Sequence, residues 1–198
     1  SSIFVDQDLE VYSLSITNSD LNSGSGTVLV ANTAALENVD IAALGKVTVG
    51  ANDATGGSWL SYEGDLEIGV KYISGVTMSA ANGAAAGTGN VDIATQSIKN
   101  SSVFANDKLT VYSTNSDVDI IGSTLTAYSY DDDAISLKPG TDKVLRISGT
   151  TVNSFGGIIA EGVEILNDSG LDAIKAVTVT GAAPATSTIA NTSMASQT

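Results

Sequence analysis

The densest group of chemistry-bearing side chains is Asp131, Asp132 and Asp133, which lie beside Tyr128 and Tyr130 and follow Asp117 and Asp119. Carboxylate oxygens are hard ligands, and such a cluster is a candidate Ca²⁺ site. Its spacing lacks the Asp-x-Asp-x-Asp-Gly order of a calcium loop, so a solvated acidic loop tip explains it better. No other cofactor is expected. The 22 acids of the chain also raise the question of a carboxylate pair for glycoside hydrolysis, but no spacing singles one out. Arg146, the only arginine, lies in VLRISG between Leu145 and Ile147, where alternation makes it an exposed strand residue. Tyr12, Tyr112, Tyr128 and Tyr130 offer flat faces on which a sugar ring or a partner surface can stack, so surface glycans or matrix are candidate partners.

What is missing narrows the chemistry further. With no Cys and no His there is no disulfide framework, no thiolate or imidazole metal site and no Ser–His or Cys–His nucleophile. A net charge of −14 opposes phosphate backbones, which excludes nucleic acid as an expected partner. The apolar runs are far shorter than the roughly 20 residues that span a bilayer. At 42% hydrophobic the chain is nevertheless apolar enough to fold. It is rich in Ser, Thr, Val and Ile, a composition of strands and tight turns.

Those side chains must be positioned by a repeating element. Apolar-x-apolar triplets at Leu9/Val11, Val28/Val30, Val47/Val49 and Leu66/Ile68 recur at a constant interval of 19 residues. The series continues through Val91/Ile93, Leu109/Val111, Ile135/Leu137, Ile158 and Val177/Val179 at intervals of 18 to 26. Within each unit an apolar residue, a turn residue and a second apolar residue repeat, as in Ile16–Asn18–Leu21, Ile98–Asn100–Val103 and Ile120–Gly122–Leu125. Asn, Gly and Asp tolerate the left-handed geometry of a sharp corner. A unit this short buries its apolar face only by stacking on its neighbours. The pattern predicts an all-β, single-domain parallel β-helix (β-solenoid) of about nine coils of 18–26 residues. Equivalent corner asparagines are expected to form a hydrogen-bonded ladder. The solenoid is expected over residues 1–180, with 181–198 as a frayed last coil or a strand-donating tail around Pro184. Insertions at 79–90, 126–134 and 138–143 should project from the coil wall.

The 19-residue register, the word L-x-V…L-x-I-x-N-S-x-L and the Ser/Thr/Asn/Gly/Ala-rich turns resemble the repeats of filamentous-haemagglutinin-type bacterial surface proteins. The resemblance runs from Leu9 to about Val179. It implies a right-handed parallel β-helix, export to the bacterial surface or beyond, and a role as adhesin, fibre or stalk. It brings no catalytic residues. The basic clusters that characterise β-helical pectate lyases are missing.

The expected function is therefore a non-enzymatic extracellular structural protein, a subunit of a self-assembling surface fibre or a segment of a fibrous adhesin. The alternative is a polysaccharide-binding or polysaccharide-cleaving β-helix. Ile3 and Val5 in the first segment, and Val177 and Val179 near the other end, read as strand edges that pair with another copy of the chain. The expected partner is thus the protein itself, end to end, in an open filament.

Overall fold

The computed structural model describes residues 1–80, 89–182 and 187–196 of the 198-residue chain. Residues 81–88 of the first predicted insertion, 79–90, and Pro184 fall outside them. The described residues form 22 strands and no helix, all joined in one hydrogen-bonded sheet with parallel pairing throughout. The chain winds as a β-solenoid of about nine turns.

Three stacks of short strands make three faces. The triplets build the first face, where 9–12, 28–31, 47–50 and 66–69 follow one another in register. It continues through 91–94, 109–112, 135–138, 158–160 and 177–179. The second face runs from 15–17 through 35–37, 53–55, 72–74, 97–99, 119–121 and 146–148 to 165–167 and 188–190. The third starts at Ser2–Val5 and climbs to Ser193–Ser196. The ladder thus continues past residue 180, because Thr188–Ala190 and Ser193–Ser196 complete two faces of the ninth coil.

Alternation along each strand turns one set of side chains inward, and parallel register piles like on like. On the third face Ile41, Trp59 and Met78 lie in one buried column, and the Trp59 Nε1–H donates to the Val39 carbonyl at 3.2 Å. On the second face Ile73, Ile98, Ile120 and Ile147 do the same.

The corner between the second and third faces carries a left-handed residue in every coil: Asn18, Asn38, Gly56 (followed by Gly57), Gly75, Asn100, Gly122, Gly149, Asp168 and Asn191. The expected asparagine ladder is only partial. Asn38 donates to Asn18 at 3.3 Å and Asn191 to Asp168 at 3.0 Å, while glycines interrupt the run between them. A different ladder runs one residue further on. The buried hydroxyls of Ser101, Ser123, Thr150 and Ser169 each accept a backbone N–H from the coil before, at 3.2 to 3.4 Å. Each also donates to a carbonyl two residues back in its own coil, at 2.7 to 3.1 Å. A hydroxyl both donates and accepts, so one small side chain satisfies two groups at a corner where the strand ladder is interrupted.

Candidate functional site

Parallel stacking brings side chains of adjacent coils together however far apart they lie in sequence. Asp119 and Arg146 are register partners on the second face. Arg146 is therefore held rather than freely exposed. Its Nε donates to Glu164 at 2.6 Å and its Nη1 to Asp117 and Asp119 at 3.2 Å each. Partial burial disfavours the guanidinium charge, but the hydrogen bonds to Asp119 and Glu164 outweigh it and raise the pKa. Three carboxylates on one arginine make a charge-assisted network that fixes the guanidinium plane.

The acidic insertion is organised in a similar way. Lys108 Nζ reaches Asp131 at 2.9 Å and Asp133 at 2.8 Å, while Asp132 reaches Lys175 at 3.0 Å. Hydrogen bonds to Asp133 and Asp131 raise the Lys108 pKa, and the Lys108 bond lowers that of Asp133. The three aspartates thus turn toward lysines of the neighbouring coils. Among the described residues no three His, Cys, Asp or Glu side chains converge as a metal site. The lysines were legible in the sequence, since Lys108 directly precedes the triplet at Leu109 just as Asp133 closely precedes the next one at Ile135.

The aromatic candidates divide into two groups. Tyr128 packs edge to face between Phe104, at 5.1 Å between centroids, and Phe155, at 4.5 Å. Tyr130 meets Phe155 at 6.0 Å and is otherwise exposed. These rings cover one another at the corner that the insertion widens. Tyr12 and Tyr112 are both exposed on the first face, at the same place in their strands. Between their coils the equivalent positions are Ala31, Gly50, Gly69 and Ala94, which opens a trough of about 650 Å³. Asp92 lines it; burial pushes its carboxyl pKa up, against the Thr110 hydroxyl, and Asp65 and Glu67 add to the rise.

The predicted assembly edges lie at opposite ends of the stack. Ile3 and Val5 pair with Leu21 and Ser23 on one side only, so their strand has a free edge. Nearby, Phe4 is 70% and Leu14 81% exposed. At the other end Val177 and Val179 sit in the last first-face strand, and with Ile189 and Met194 they line an apolar hollow of about 410 Å³. Ile189 and Met194 are half exposed although they continue buried columns. The apolar interior is therefore open at both ends of the described stack. Among the described residues no helix is long and apolar enough to cross a membrane. Comparisons with protein-family models, with curated proteins and with solved structures each return no match for this chain.

Proposed function

We propose that the chain is a non-enzymatic structural element of a bacterial surface or extracellular fibre, and that it assembles by placing its coils on those of another copy. One observation carries this reading: among the described residues the inward columns stay uncovered at both ends of the stack, around Ile3 and Val5 and around Val177, Val179, Ile189 and Met194. Uncovered parallel strands template further pairing, and apolar surface exposed beside them drives it. The two ends differ, so the contact is heterologous and propagates as an open filament. About nine coils at ~4.8 Å give a rise of roughly 45 Å per subunit. The Cys-free, hydroxyl-rich, acidic composition and the filamentous-haemagglutinin-like repeat support an exported, adhesin-type role.

Electron microscopy of the purified protein at rising concentration tests the reading. Unbranched filaments one solenoid wide are expected, and Val179→Pro should shorten or abolish them, because proline removes an edge donor while leaving the central coils folded. Particles that stay monomeric at every concentration would overturn it.

A further inference from the structure

A polar cleft of about 450 Å³ runs along the second face, and the ion-pair network of Arg146 forms one end of it. Its outward column is Tyr72, Ser97, Asp119 and Arg146, one residue from each of four successive coils in continuous register. Three coil spacings make it ~14 Å long. The corner residues Asn115 and Lys143 rise along its side. We propose that this cleft binds a carboxylate-bearing saccharide.

Three features point to that ligand class. The first is the distribution of charge. Lys46, Lys108, Lys138, Arg146 and Lys175 form ion pairs, and Lys71 lies over the Tyr72 ring at 5.2 Å. Lys99 and Lys143 have no acidic partner among the described residues, and both line this cleft. On a chain of net charge −14, two of the three side-chain cations without an acidic partner among the described residues line this cleft, and the third, Lys71, adjoins it over Tyr72. A sparsely charged anion is attracted there, whereas a polyphosphate is repelled by the rest of the surface. The second feature is an unmet polar group. Ser97 is 6% exposed, and its Oγ has no hydrogen-bond partner although it lies among the cleft-lining side chains. Buried hydroxyls are almost always paired, so a ligand that parts the covering side chains finds a donor and acceptor waiting. The third is the mixed lining. Tyr72 is half exposed at one end and supplies a ring face, while Asn115 and Asp119 supply hydrogen-bonding groups along the length. A long, shallow, polar groove with one aromatic platform suits an oligosaccharide better than a compact apolar molecule.

In this arrangement Lys99 and Lys143 bracket the carboxylates, Ser97 and Asp119 meet ring hydroxyls, and Tyr72 stacks on an end ring. Arg146 remains neutralised by its three acids and acts as a positioning residue for Asp119. The assignment does not rest on end-to-end assembly, since the second face is a side wall of the solenoid.

Calorimetric titration with a mannuronate tetrasaccharide, one carboxylate per ring, tests it against the neutral mannose tetrasaccharide of the same linkage. The acidic ligand should bind, and its affinity should fall as salt is raised. Lys99→Gln/Lys143→Gln should weaken binding at least tenfold, with an unchanged circular dichroism spectrum, because both side chains lie outside the core. Ser97→Ala should weaken it by a smaller factor, about three- to tenfold. The neutral tetrasaccharide binding as tightly, the double variant binding like the parent protein, or no binding at millimolar acidic ligand would each overturn the proposal.

Discussion

Replacing Trp59 by alanine is expected to cost about 3–5 kcal/mol of stability, the largest loss from any single core truncation here. Trp59 is completely buried between Ile41 and Met78, and its indole N–H is the donor to the Val39 carbonyl. Truncation leaves a void the size of an indole. It also strands the carbonyl that the indole satisfied. The walls of that void belong to parallel strands whose spacing is set by the backbone ladder, so the coils cannot close in to fill it. Trp59→Phe keeps most of the volume and should lose much less, about 1–2 kcal/mol. Urea unfolding followed by circular dichroism gives both values. A midpoint for the alanine variant within error of the parent protein would mean that the third-face column is not packed as described.

Gly57→Val is expected to be almost as damaging, at about 2–4 kcal/mol, through backbone rather than core. Gly57 has φ near +91°, and an added Cβ would stand 2.2 Å from the Val39 carbonyl oxygen, a backbone atom of the coil before. Gly57 is held by the bond that Thr77 N–H donates to its carbonyl at 3.0 Å, and the Val39 carbonyl by the Trp59 indole N–H at 3.2 Å. The contrast is Gly75, which has φ near +66° but only the Gly56 nitrogen at 3.9 Å from its added Cβ. Asparagine occupies the equivalent corner at Asn18, Asn38, Asn100 and Asn191. Gly75→Asn should therefore be tolerated within about 1 kcal/mol. The pair separates two reasons for glycine at a corner, conformation and crowding, and thermal melts of the two variants read out the difference.

The coil register was legible because a pair of inward aliphatic residues, Leu, Val or Ile, repeats at the first face, as at Leu9/Val11, Val28/Val30, Val47/Val49 and Leu66/Ile68. The corners were legible at Asn18, Asn38, Asn100, Gly122, Gly149 and Asp168, since a left-handed residue restricts the choice. The hydroxyl ladder was harder to see. Ser and Thr are so common in this chain that Ser101, Ser123, Thr150 and Ser169 do not stand out until the corners are superposed. The surroundings of Arg146 were hidden for another reason. Its partners lie 18, 27 and 29 residues away, across coils lengthened by the corner segments, so no local spacing links them. The sequence left 181–198 open between a last coil and a tail, because Thr188–Ala190 and Ser193–Ser196 each carry one large apolar residue, Ile189 or Met194, and the first-face triplet that marks the other coils does not recur after Val177 and Val179. Register inherited from the coil before places them, and a sequence read unit by unit does not contain that template.

Backbone hydrogen exchange measured at two protein concentrations tests most directly whether the open ends are assembly surfaces. The central strands, from Leu66–Ser74 to Thr124–Ala127, are paired on both sides and should be protected at any concentration. Ser2–Val5 and Leu9–Tyr12 at one end, and Val177–Gly181 and Ser193–Ser196 at the other, each lack a pairing partner on one side among the described residues. The account predicts that these end strands exchange fast in dilute solution and slow together as concentration rises, because each copy covers the edge of the next. End strands that exchange at the same rate in dilute and concentrated solution would contradict it.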